Sequence, residues 1–129
     1  GAENIEFIEA DINRLPFREG FSPVVIISEV LEYVTDQEST LAEINRVTEN
    51  RGLLVLTTPR VGLRWGIVRA IWTLVRREKL EIPYFPLNLS RLRFLLLRTG
   101  FYPVKLKILN IGCILLLTAL KVASNPRLS

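Results

Sequence analysis

Val24-Val25-Ile26-Ile27 sets four β-branched residues in an unbroken row. Branching at Cβ stiffens χ1 and favours extended backbone over helix. A short continuous apolar run suits a strand covered on both faces, as in a parallel sheet. A second such run, Leu53–Leu56, follows a helical stretch, and the chain then leaves through Thr57-Thr58-Pro59. In that stretch, Ser39–Val47, apolar residues recur at Leu41, Ile44 and Val47, one face of a helix that Thr35 or Asp36 can cap. Asn50-Arg51-Gly52 ends it, with Gly52 suited to a left-handed cap.

Upstream, Ile5, Phe7 and Ile8 predict a short strand ending at Ala10. Asp11-Ile12-Asn13 turns the chain, and Leu15-Pro16-Phe17 is an extended segment before proline. Pro23 removes one backbone donor, which a strand start tolerates. Downstream, Gly62–Leu80 predicts a helix that is apolar on two sides, with Arg64, Arg69, Arg76 and Arg77 as its polar face. Leu89–Thr99 predicts a further helix with Gly100 at its C-terminal cap. Phe101–Leu109 and Ile111–Val122 predict a closing antiparallel pair around Asn110-Ile111-Gly112. The run Ile111–Leu120 is too short for a membrane-spanning helix and is expected to be a buried strand.

Composition narrows the chemistry. The 129 residues contain no histidine and a single cysteine. Histidine-based acid–base catalysis, histidine metal sites and an internal disulfide are thereby excluded, and no metal site is expected. The absence of methionine leads us to expect a processed, tagged or longer parent chain. Charge is divided unevenly: residues 1–58 hold 11 acids and 4 bases, whereas residues 59–129 hold 2 acids and 13 bases. The basic half suits an anionic substrate or a phospholipid surface, or is a solvated face that offsets the acidic half.

The ordered set is a strand followed by Asp-x-x-x-Leu-Pro-Phe, a strand followed by Ser-x-x-Leu-Glu-x-Val, then Leu-x-Glu-Ile-x-Arg-Val and Gly-Leu-Leu-x-Leu-x-x-Pro. It resembles the second half of the class I methyltransferases that use S-adenosylmethionine, in the subgroup that includes ubiquinone-biosynthesis-type enzymes. The close resemblance covers about Ile5 to Pro59 and continues more weakly through Leu92–Phe101. It implies an α/β fold: a partial Rossmann-like methyltransferase sheet, mostly parallel with an antiparallel closing pair, lacking the family's N-terminal strands. The 129 residues then form one domain, with 1–59 as adenine-side core, 60–88 as substrate-side helical insertion and 89–129 as closing helix and strand pair.

By resemblance, Asp11 would accept a hydrogen bond from the adenine amino group and Ile12 would pack on its ring. Ser28, Glu29 and Val30 would lie near the methionine end, at the carboxyl edge of the sheet where ligands of open α/β folds bind. Glu29 and Glu32 are candidate proton acceptors, or simply exposed loop carboxylates. Tyr33 stands where the subgroup often has His and is a poor base near neutral pH. Tyr33, Trp65 and Trp72 are candidate contacts for an acceptor. The family's glycine-rich cofactor loop and ribose-binding acid are not found, and Gly62-x-x-x-Gly66 lies inside a helical pattern.

The isolated chain is therefore expected to bind S-adenosylmethionine weakly or not at all, and to be inactive alone. Methyl transfer to a small-molecule or lipid acceptor, hydrophobic or anionic, would belong to a longer or assembled protein. The alternatives are a non-catalytic remnant or partner subunit that pairs through an exposed sheet edge, in self-association or with a second chain, and a membrane-surface binding module. Nucleic acid is not expected as a partner. A cytoplasmic location, with peripheral membrane contact as an option, is expected.

Overall fold

The computed structural model describes residues 4–60, 63–76, 84–110 and 112–122, the side chains of residues 63–65 and 76 excepted. The elements are β1 (Ser22–Ser28), a 3-10 turn (Leu31–Tyr33), α1 (Gln37–Val47), β2 (Thr48–Pro59), α2 (Leu63–Arg76), α3 (Leu89–Arg98), β3 (Phe101–Leu109) and β4 (Ile114–Lys121). Their order along the sheet is β1-β2-β4-β3. The β1–β2 pair is parallel, and β4 runs antiparallel to both β2 and β3. Three strands thus share one direction, with β3 and β4 as the antiparallel closing pair.

The helix ends follow their capping residues. Asp36 accepts the Ser39 amide at 3.0 Å and starts α1. Asn88 accepts the Arg91 amide at 2.8 Å and starts α3, and Gly100 leaves that helix at φ +88°, a left-handed turn that glycine adopts without strain. Leu41 and Ile44 of α1 and Leu92, Leu95 and Leu96 of α3 pack on Ile27, Leu54, Leu56 and Leu117 of the sheet. Lys121 is buried, and its Nζ donates to the Asn45 and Thr48 carbonyls at 2.6 and 2.8 Å. Those carbonyls lie at the carboxyl end of α1, where a cation is favoured. Burial pushes the Lys121 amine below its ordinary pKa.

Three expectations are corrected. Asn4–Ala10 forms no strand, and Phe7 is 94% exposed. An extended segment becomes a strand only when a neighbour completes its hydrogen-bond ladder, and among the described residues none lies beside it. The Val24–Ile27 run is covered on one face rather than two. Ile27 is buried, whereas Ile26 is 70% exposed, because α1 and α3 lie on the same side of the sheet and, among the described residues, β1 pairs with a strand on one edge alone. The left-handed residue after α1 is Arg51, at φ +63°, and Gly52 lies inside β2. Predicted residues 62, 77–83 and 111 lie outside the described residues.

Gly52 has a different reason to be glycine. The register of β1 against β2 slips between Ser22 and Val24. There a Cβ on residue 52 would sit 2.7 Å from the Glu49 carbonyl oxygen and 2.9 Å from that of Pro23. Backbone atoms cannot swing aside as side-chain ends do. Gly52→Ala is expected to lower stability by about 1–3 kcal/mol, the usual cost of overpacking, as read by urea denaturation. A loss below about 0.5 kcal/mol would show that the contact relaxes freely.

Candidate functional site

The described residues before β1, 4–21, form no helix or named strand, and α1 holds them. Asn13 Oδ1 accepts the Thr40 hydroxyl at 2.7 Å. Glu43 Oε1 accepts the Leu15 amide at 2.9 Å. Arg46 donates to the Phe17 and Leu15 carbonyls at 2.8 and 3.1 Å, and forks onto both oxygens of Glu43. Arg46 lowers the Glu43 pKa mainly through that hydrogen bond, and Glu43 raises that of Arg46 in return. Because α1 joins two parallel strands it runs against them, so its first turns sit at their carboxyl ends. The Asp11–Asn13 turn is thereby pinned to that edge.

Asp11 is exposed. Its Oδ1 accepts the Asn13 amide at 2.9 Å and its carbonyl accepts the Arg14 amide at 2.9 Å, a local turn that orients the carboxylate. Ile12 is half-buried and packs against the core cluster. At the end of β1, Ser28 Oγ lies 3.2 Å from Thr57 Oγ1. Glu29 follows in the left-handed region at φ +53° while its amide still donates to the Thr57 carbonyl at 2.9 Å. Left-handed backbone costs a residue with a Cβ roughly 1–2 kcal/mol, and such strain clusters at functional turns. Glu29 is exposed, and Val30 is half-buried against the core.

Glu32 is not the accessible carboxylate that its loop position suggests. It is fully buried, with Oε2 accepting the Thr58 hydroxyl at 3.2 Å and Oε1 without a partner among the described residues. Its backbone carbonyl accepts the Phe85 amide at 2.6 Å. Burial raises the Glu32 pKa, the Glu29 charge adds to the rise, and the Glu32 amide and Thr58 hydroxyl oppose it. Tyr33 is half-exposed, its ring 5.8 Å from that of Tyr84, over which the Arg69 guanidinium lies at 4.5 Å. This stack ties α2 to the loop after β1. Trp72 is half-exposed on α2. The Trp65 side chain lies outside the described residues.

A separate groove of about 380 Å³ lies between α3 and β3, lined by residues that include Leu89, Arg93, Leu97, Val104 and Leu106. It borders the opposite edge of the sheet from β1, so Asp11 and Glu29 take no part in it. The described residues contain no cluster of three acidic or cysteine ligands that could hold a metal ion. Thr40, Glu43, Arg46, Thr57 and Thr58 were not anticipated as supports of the site. The Glu43–Arg46 spacing of three was the signal for one of them.

Residues 1–56 match a family described as a methyltransferase domain. No match is found among the curated proteins. Among solved structures, the chain is similar to one in the complex between the Haloferax volcanii Trm112 methyltransferase activator and a methyltransferase, at 14% identity and TM-score 0.78, covering 94% of this chain and 63% of that one. A Methanosarcina mazei S-adenosylmethionine-dependent methyltransferase aligns at 16% identity and TM-score 0.65, covering 89% and 66%. Magnesium protoporphyrin IX methyltransferase from Synechocystis, solved with bound S-adenosylhomocysteine, aligns at 15% and 0.66, covering 89% and 50%. The chain spans less than two-thirds of the length of each of these three. The fold is that of the class I methyltransferases. The chain represents part of their sheet, and the match to the methyltransferase-domain family lies over residues 1–56.

The buried carboxyl of Glu32 makes a pH prediction. With its folded pKa above the ordinary 4.5, the unfolded chain ionises first as pH rises, so stability contributed by the protonated form is lost from pH 4.5 upward until the folded pKa is passed. Glu32→Gln keeps an acceptor for Thr58 and removes the titration. Its stability relative to the native chain is expected to rise between pH 4.5 and 7, measured by denaturation at both. A constant difference would contradict this.

Proposed function

We propose that this chain supplies the adenine side of an S-adenosylmethionine-dependent methyl-transfer site within a longer or assembled protein. The observation that carries the reading is the Asp11–Asn13 turn pinned by α1 to the edge at which the strained Glu29 turn leaves β1. The residues fit the cofactor. An exposed carboxylate beside a half-buried isoleucine offers an acceptor for an exocyclic amine next to an apolar surface. Asp11 and Ile12 would hold the adenine, and Ser28, Glu29 and Val30 would border the methionine end. The cofactor supplies an already activated methyl group, so the protein's part is to position the acceptor and exclude water. Glu29 is the exposed carboxylate placed to take a proton from an acceptor hydroxyl, and Glu32 braces the loop beneath it. Tyr33 and Trp72 flank the side from which a small-molecule or lipid acceptor would approach.

Among the described residues no strand pairs with the outer edge of β1, which supports assembly with further polypeptide. Val24 and Ile26 lie on its uncovered face, and unpaired strand edges template pairing. One structural neighbour is a chain of a complex that contains a methyltransferase activator, which favours a partner chain as one source of that polypeptide.

Titration calorimetry with S-adenosylmethionine tests the reading. The 129-residue chain alone is expected to bind more weakly than about 1 μM, and a longer or partnered form to bind more tightly. In that form, Asp11→Ala is expected to weaken binding about tenfold, the worth of one charge-assisted hydrogen bond. Unchanged affinity would make Asp11 a turn residue alone. Micromolar binding by the isolated chain would overturn the claim that the site needs completion.

A further inference from the structure

Both tryptophans of the chain lie in α2, and the described side chains of α2 are all exposed. A helix on a globular fold normally buries its apolar stripe and wets its charges. Here Arg69 points at the body of the protein, with its guanidinium on the Tyr84 ring. The apolar residues face outward: Leu74 and Val75 are 76% and 77% exposed, and Ile67, Val68 and Ile71 are about half exposed. Ile67, Ile71 and Leu74 recur at the spacing that sets them on one side.

Three features indicate what covers that side. The helix contains Arg64, Arg69 and Arg76 and no acid, and residues 59–129 hold 13 bases against 2 acids. Its 14 residues extend about 21 Å, and no described helix is long and apolar enough to cross a membrane. Exposed apolar residues, tryptophan and arginine carried together on one short helix suit a helix lying in the plane of a bilayer surface. A second copy is disfavoured as occupant because two basic faces repel. We propose that α2 docks the protein on an anionic phospholipid surface, with the Ile67–Ile71–Leu74 side entering the headgroup boundary. This inference stands independently of methyl transfer.

Flotation of the 129-residue chain with vesicles tests it. Binding to phosphatidylserine-containing vesicles at low salt is expected to be about tenfold or more tighter than to phosphatidylcholine alone, and to fall at high salt. Tryptophan emission should shift to the blue and be quenched by doxyl-labelled lipid, a readout that needs no variant. Ile71→Glu/Leu74→Glu should abolish flotation with unchanged circular dichroism. Absence of flotation and of quenching at low salt, or flotation that the double variant retains, overturns the proposal. A dimer that the double variant dissociates, with no flotation by the native chain, would assign the face to a second copy instead.

Discussion

The fork of Arg46 onto Glu43 and the Leu15 and Phe17 carbonyls is the interaction on which the candidate site depends. Asn4–Gly20 contains no helix or extended strand, so its path is set by what it touches. Side chains of α1 grip it at Asn13, Leu15 and Phe17, and the Gly20 amide donates to the Arg46 carbonyl at 2.8 Å. Arginine suits this place because its planar donors reach a carboxylate and two carbonyls at once. A lysine would hold one or two of them. The helix itself is located by its buried face and by Lys121 at its end, so the position of Asp11 is inherited from the core through two layers of contacts.

The same edge carries strain and an uncovered surface. Glu29 is held left-handed although it is not glycine, and its amide bond to Thr57 shows that the sheet ladder enforces the turn. Glu32, three residues on, is enclosed with one oxygen unmatched among the described residues. A loop that stores unfavourable conformation and a buried carboxyl needs support from outside itself. Thr58, the Phe85 amide and the Tyr33–Tyr84–Arg69 stack provide it. Exposed apolar residues also lie on β1, which leads into this loop, and on α2, which the stack ties to it.

Local patterns that declare their own partners were legible in the sequence. The α1 period at Leu41, Ile44 and Val47, the Asp36 cap, Gly100 and the closing pair all appear as expected, because each is decided within one or two turns of chain. What depended on a neighbour was not legible. Ile5, Phe7 and Ile8 have strand-forming residues but nothing to pair with among the described residues. Val24 and Ile26 have the composition of a doubly covered strand but one covered face. Gly52 was chosen for space rather than for a positive φ, which only the approach of Glu49 and Pro23 reveals. Of the candidate site residues, Asp11 and Glu29 are exposed. Glu32 is not, since burial of a loop residue depends on Thr58 and Phe85, far along the chain.

The central claim is that the clamped Asp11 turn and the Glu29 turn form one cofactor edge. Amide chemical-shift mapping by NMR with excess S-adenosylhomocysteine detects even weak binding and reports where it occurs. The account predicts shifts at Asp11–Asn13 and Ser28–Val30 that fade in Arg46→Met, whose core resonances stay in place. Shifts confined to the groove between α3 and β3, or shifts that Arg46→Met leaves unaltered, would contradict it.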